Sequence, residues 1–367
     1  MERTGPQNEV AGSGEGDEVV RAWRTLGPLM DLITPMALRV AATLRLADLI
    51  ADGSGRIDEL ARQSGTDPDA LGRMLRHLVY HGVFAEPEPG RFAVDDTAAL
   101  LLSGHPAELR RSLDLDGFGG TMDLAFTGLL HTVRTGEPAW ETVFGAPFWP
   151  YLAARPELAA SFDATMSTPA AFVTDAAGGY DWSAVRHVTD VGGGTGDLLV
   201  ELLRAQPDLR ATLIDLPETV ARGRERFAGH GLTDRCEFVG QSFFDPLPSG
   251  ADVYVLRRVV HDWDDPGALA VLRRCAEAAG ETGRVVVIEA HSMSADSPAE
   301  FAEMNLRMQV LAGGRERGID EYTELACAAR LFIAGVHTTP LGHVIIDCVP
   351  QAAGSASDGA RHTPPGP

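Results

Sequence analysis

From about residue 19 to 180 the apolar positions recur three and four residues apart, the spacing of one helical face. "ITPMALRVAATLRLADLIAD" is the clearest such stretch. "IDELARQSGTDPDALGRMLRHLVYHGVFAEPEPGRFAV" then predicts helix, turn, helix and short hairpin. Gly65 and Pro68 punctuate its first junction, and Gly82 with the "EPEPGRF" turn the next. That is the outline of a winged helix. From about 184 the pattern changes. "RHVTDV", "ATLIDL", "CEFVG", "DVYVLRRVV" and "RVVVIEA" are short apolar runs of the kind that forms strands buried on both faces. "GDLLVELLRAQ", "ETVARGRERFAGHG" and "PGALAVLRRCAEAAG" supply helices between them, and "FIAGVHTTP" with "GHVIIDCV" predicts a closing hairpin. The expected fold is α/β: a doubly wound, Rossmann-like domain preceded by a mainly helical, winged-helix-like one.

A chain of 367 residues suits two domains. The expected division is a disordered tail at 1–18, the helical domain at 19–180, the α/β domain at 181–350 and a Gly-, Ser- and Pro-rich disordered tail at 351–367. No apolar run reaches the ~18 residues needed to span a bilayer. The polar N-terminus has no apolar signal core, so a cytoplasmic location is expected, with no membrane partner. The four cysteines are widely spaced and form no CxxC pair, which argues against structural zinc and a disulfide framework. A net charge of −21 disfavours nucleic acid as a partner. That charge also weighs against a DNA-binding regulator, the second reading of the winged-helix outline. Its recognition segment would carry Arg73, Arg76, His77 and His81, an ordinary set for a helix surface.

"DVGGGTG", residues 190–196, follows a predicted strand and opens a predicted helix, so it belongs at the carboxyl edge of the sheet, where ligands bind. No Lys followed by Ser or Thr is present, as a phosphate-cradling loop would need, and the spacing Gly192, Gly194, Gly196 is not that of the dinucleotide fingerprint. Asp215 ends the next strand, where a carboxylate accepts hydrogen bonds from ribose hydroxyls. The loop and Asp215 together point to an adenosine without a pyrophosphate. A second stretch, "VLRRVVHDWDD" at 255–265, places His261, Asp262 and Trp263 at the same edge. A titratable imidazole beside an aromatic surface there looks like a reaction site, although a lone His at a strand end is more often a satisfied core residue.

"DVGGGTG", "FFDPLPSGADVYVLRRVVHDWDD" and "LAGGRER" together resemble the S-adenosylmethionine-dependent small-molecule O-methyltransferases, over about residues 25 to 350. "TPMALRVAATLRLADLI" and "YDWSAVRHVTDVGGG" look most like the anthracycline methyltransferases of aromatic polyketide pathways. The resemblance implies S-adenosylmethionine as cofactor, S-adenosylhomocysteine as product and no metal. It implies a cofactor site of Asp190, Gly192, Gly193, Gly194, Gly196, Asp215, Leu216, Ser242, Phe243, Arg257 and Trp263. Ser242 stands where the family usually carries Asp, which weakens the hydrogen bond to the adenine amino group. His261 would be the general base for a phenolic hydroxyl, flanked by Glu289 and Glu316.

The resemblance also assigns the acceptor walls to two segments, "EPAWETVFGAPFWPYLAARPELAASFDATMS" and "AEFAEMNLRMQVLAGG". The candidates are Trp140, Phe144, Phe148, Met166, Asp262, Met304, Asn305 and Met308; core packing is the competing reading for most of them. Walls of methionine and aromatic residues suit a flat polycyclic phenol of anthraquinone or anthracycline type. The family's helical domain serves dimerisation, so a homodimer is expected. Some relatives support hydroxylation or decarboxylation, and they often lack the His. This chain keeps it, which favours methyl transfer.

Overall fold

A computed structural model describes residues 13–166, 170–289 and 298–351. The chain divides into two compact units, Met1–Gly120 and Thr121–Pro367.

In the first unit, helices over Ile33–Thr43, Leu46–Ala51, Ile57–Ser64 and Pro68–Tyr80 precede a hairpin of β1 (Phe84–Glu88) and β2 (Arg91–Val94). The sequence sets the ends of the last helix. Pro68 occupies its first turn, and the Asp67 carboxylate accepts the Ala70 N–H at 2.8 Å. Leu71, Leu75 and Leu78 then bury one stripe against Leu60, Phe84 and Phe92. The helix–turn–helix–hairpin outline is present as expected. A helix over Ser13–Leu26 takes up the end of the segment expected to be a tail. The rest of that segment, and residues 352–367, lie outside the described residues. Trp23, Leu26, Leu29, Met30, Leu32 and Ile33 leave an apolar strip exposed along this helix and the turn after it.

The second unit holds β3 (His187–Val191), β4 (Arg210–Asp215), β5 (Cys236–Gly240), β6 (Val253–Arg257), β7 (Arg284–Glu289), β8 (Leu331–Thr338) and β9 (Val344–Pro350). Among the described residues they form one sheet in the order β5-β4-β3-β6-β7-β9-β8. β3 to β7 are parallel, and β9 runs antiparallel between β7 and β8. Both faces are buried. Along β7, Val285 and Val287 enter one apolar cluster, while Val286 and Ile288 enter the other. This is the doubly wound α/β arrangement expected, and the parallel strands all end at one edge.

The expected boundary at 180 needs correction, because it falls inside the second unit. Ala176 and Ala177, on the helix Ala170–Gly178, share a buried cluster with Val188, Leu198 and Leu199 of the sheet domain. Apolar periodicity marks a segment as helical; it does not say which core the helix enters. No helix among the described residues is long and apolar enough to cross a membrane.

Candidate active site

After β3 the chain reverses through Gly192, Gly194 and Gly196, with φ of 70°, 61° and 84°. Side chains other than glycine rarely adopt these angles. At Gly196, which caps the helix Asp197–Ala205, a Cβ would lie 2.5 Å from the Phe227 ring. At Gly194 a Cβ would meet nothing within 4 Å. The loop therefore packs tightly on its protein side at Gly196 and is open at Gly194. Gly193 is also tight, since a Cβ there would lie 2.6 Å from an Asp190 carboxylate oxygen.

Two carboxylates flank the loop. Asp215, the last residue of β4, accepts the Gly194 N–H at 2.9 Å through Oδ2 and the Leu216 N–H at 2.7 Å through Oδ1. Desolvation outweighs these bonds and pushes its pKa up to about 6. Asp190 is buried, and its Oδ1 has no hydrogen-bond partner. Burial pushes its pKa up to about 7, against the pull of the Arg257 charge. Phe243 and Trp263 meet edge to face with ring centres 5.8 Å apart. The Trp263 indole N–H is buried without a partner. The Ser242 Oγ accepts the Phe244 N–H at 3.2 Å, which leaves its O–H and one lone pair for a ligand. Leu216 is exposed beside Asp215.

His261 lies in the turn after β6 and is 4% exposed. Its Nδ1 is 2.8 Å from Glu316 Oε1 and 3.9 Å from Glu289 Oε2. Its Nε2 is 3.5 Å from Asp262 Oδ1. Glu289, at the end of β7, and Glu316 are both buried. Burial alone would lower the imidazole pKa. The charges of Glu289, Asp262 and Glu316 and the Glu316 hydrogen bond outweigh it, and the pKa is pushed up to about 9. Burial in turn raises Glu289 to about 7, although the imidazolium opposes the shift. The cluster thus binds a proton strongly, with the imidazole as its seat.

Two residues not singled out from the sequence, Tyr322 and Arg317, support this cluster. The Tyr322 hydroxyl donates to Glu289 Oε1 at 3.0 Å. Arg317 is fully buried and donates to the carbonyls of Val260 at 3.1 Å and Trp263 at 2.8 Å, on either side of His261. Asp265 balances its charge at 2.8 Å. Trp149 stacks on Trp263 at 6.0 Å with 20° between the ring planes. Tyr322 carries no local signal beyond ordinary helical apolar spacing, whereas Trp149 belongs to the aromatic-rich segment 137–167. Arg317 could have been suspected from its place directly after Glu316.

The acceptor candidates divide. Trp140 is fully enclosed, with Phe144, Phe148 and Tyr151 ring centres at 4.5, 4.7 and 5.5 Å. It is a core residue, which corrects the expectation of a pocket wall, and Phe148 is nearly as buried. Phe144, Met166, Asp262, Met304, Asn305 and Met308 keep part of their surface accessible. Asn305 braces the Glu316 turn, because its Oδ1 accepts the Glu316 N–H at 3.0 Å.

Comparison with known proteins agrees with this geometry. A dimerisation domain of O-methyltransferases matches residues 29–104, and an O-methyltransferase domain matches residues 126–331. The 2,7-dihydroxy-5-methyl-1-naphthoate 7-O-methyltransferase of Streptomyces carzinostaticus is 46% identical over 88% of this chain and 96% of its own. The aclacinomycin 10-hydroxylase RdmB of Streptomyces purpurascens is 45% identical over 85% of this chain and 84% of its own. Among solved structures, the O-methyltransferase NcsB1 from neocarzinostatin biosynthesis, in complex with S-adenosylmethionine and 2-hydroxy-5-methyl naphthoic acid, superposes with a TM-score of 0.82. It is 44% identical, over 88% of this chain and 98% of that one. The two family models together match most of the chain, and the chain belongs to the O-methyltransferase family.

Proposed function

We propose that this protein transfers a methyl group from S-adenosylmethionine to a phenolic hydroxyl of a flat, polycyclic aromatic natural product, with His261 as general base. The observation that carries this reading is the His261–Glu316 pair at 2.8 Å, set at the sheet edge onto which the glycine loop opens. The cofactor fits the residues present. The open side of Gly194 admits a ligand against the backbone, Asp215 ends β4 at ribose-binding position, and the Trp263 N–H is an unused buried donor. Phe243 and Trp263 are the aromatic surfaces for its base, and Gly192, Gly193, Asp190, Leu216 and Arg257 complete the site. When bound, the cofactor supplies an electrophilic methyl group on a sulfonium centre.

The chain's own work is orientation and proton transfer. Glu316 accepts from His261 Nδ1, which fixes the ring so that Nε2 receives the phenol proton. Tyr322 holds Glu289, whose charge stabilises the imidazolium that forms. Arg317 locks the carbonyls on both sides of the turn, so the imidazole is placed before the acceptor arrives. Asp262, Phe144, Met166, Met304, Asn305 and Met308 are the proposed acceptor contacts.

A hydroxylation reading has one observation in its favour, the 45% identity to a relative named as a 10-hydroxylase. Mass spectrometry of the product from a hydroxyanthraquinone and S-adenosylmethionine separates the two. Methyl transfer adds one methyl group in place of a proton. A product gaining only an oxygen atom refutes the proposal.

We further propose a homodimer formed through the helical unit. The exposed strip of Trp23, Leu26, Leu29, Met30, Leu32 and Ile33 lies beside or within the matched dimerisation segment. Apolar strips of this kind are uncommon on monomers. Sedimentation at micromolar concentration is expected to give twice the chain mass, and replacing Trp23 and Ile33 together by Glu is expected to shift it toward monomer. A wild-type monomer contradicts the proposal.

A further inference from the structure

We propose that Asp163 and Arg222 are positioning residues that couple the two halves of the site, settling one acceptor wall when the cofactor is bound. The inference rests on the methyl-transfer reading and adds to it a dependence of the acceptor side on the cofactor side. Arg222 Nε donates to Asp163 Oδ2 at 2.5 Å. Asp163 lies on the helix Pro156–Met166, which also carries Phe162 and Met166. Arg222 lies on the helix Pro217–Gly229, which starts two residues after Asp215.

The cofactor side of the site places Arg222. At Gly223, the next residue, the helix lies directly on the glycine loop: a Cβ there would stand 2.8 Å from Leu213 Cδ2 and 3.5 Å from the Thr195 carbonyl oxygen. Arg226, one turn on, pairs with Asp197 in the first turn of the helix that follows the loop. Arg222 also donates to Thr219 Oγ1 at 3.2 Å, which steadies the guanidinium. Asp215 grips the same assembly through the Gly194 and Leu216 N–H groups. A cofactor on Asp215 and against the open side of Gly194 therefore stiffens the loop on which the Arg222 helix rests.

Asp163 makes the settling of its own helix conditional. Its side chain is 11% exposed, against 27% for Arg222. Burying that carboxylate without its partner leaves an uncompensated charge, which is strongly unfavourable. The helix Pro156–Met166 thus settles only where a guanidinium is already held to meet it. Its aromatic side shows what the settling does. The Phe162 ring centre is 5.9 Å from Trp149 and 6.0 Å from Phe148, and Met166 stands one turn beyond Asp163. Fixing Asp163 fixes this wall, so a cofactor that orders the glycine loop lowers the ordering cost left to the acceptor. By reciprocity the acceptor then tightens the hold on the cofactor.

The test is amide hydrogen exchange on the full chain, read by mass spectrometry with and without saturating S-adenosylhomocysteine, and it needs no acceptor. In the wild type, S-adenosylhomocysteine is expected to slow exchange at 192–205 and also at 157–166, the latter by roughly 5- to 150-fold, the usual range of coupling between sites. In Arg222→Met the slowing at 192–205 is expected to remain while that at 157–166 vanishes. Arg222→Lys should restore part of it, which a merely structural defect would not do. Asp163→Ala, which deletes the other partner, is expected to match Arg222→Met. The proposal is overturned if wild-type exchange at 157–166 ignores S-adenosylhomocysteine while 192–205 responds. Equal slowing at 157–166 in Arg222→Met also overturns it and would assign the coupling to the Phe162–Trp149 contact. If neither segment responds in the wild type, the cofactor reading itself fails and takes this proposal with it.

Discussion

His261→Gln lowers kcat by roughly 10²–10⁴, the usual contribution of a positioned acid–base group, and leaves S-adenosylhomocysteine affinity nearly intact. Glutamine is the appropriate replacement because alanine would leave the buried carboxylates of Glu289 and Glu316 facing an empty space. The pH profile supplies a second reading. The folded imidazole pKa stands at about 9, above its ordinary value, so the base form is scarce at neutral pH and gains population as pH rises. The wild-type rate is therefore expected to climb from pH 7 toward 9. Glu289 provides the largest charge raising that pKa, so Glu289→Gln should move the rising limb to lower pH. A loss below about tenfold in His261→Gln, with the limb unmoved, would mean that orientation alone carries the reaction.

Asp215→Ala acts on the other half of the site. A carboxylate accepting from two ribose hydroxyls contributes about 1.5–3 kcal/mol per bond, so losing even one weakens cofactor binding by at least about tenfold. The same carboxylate accepts the Gly194 N–H and so also shapes the glycine loop. Calorimetry with S-adenosylhomocysteine measures the loss, and an unchanged melting temperature separates it from unfolding. Unchanged affinity would place the ribose elsewhere.

Much of this organisation is legible in the chain. The five parallel strands announce themselves as apolar runs because both faces of each are buried, and residues 190–196 declare a turn through backbone chemistry available mainly to glycine. His261, Glu289 and Glu316 converge as expected, since two stand at or just after strand ends and the third follows a glycine pair. What stayed hidden depends on tertiary partners. Trp140 sits in an aromatic-rich segment that could equally be pocket or core, and only its enclosure by three rings decides. Tyr322 lies 33 residues from the glutamate it holds, and nothing local marks it. The helices before β3 carry the same periodicity as those of the first unit, so their membership of the second could not be read from pattern.

The place of β9 between β7 and β8 bears on how the protein is made. β7 is the run "RVVVIE", uncharged except at its two ends, and its second edge is covered only when residues 344–350 arrive. On the ribosome, then, most of the chain has emerged while this strand still offers a bare row of backbone donors and acceptors to any passing strand. The Val344–Glu289 register also means that the acidic end of β7 gains its last neighbour in the same step. Completion of the sheet and protection of the β7 edge from misassociation therefore come together late in biosynthesis. A chain released before residues 344–350 would keep an adhesive edge on β7, a product that quality control must remove.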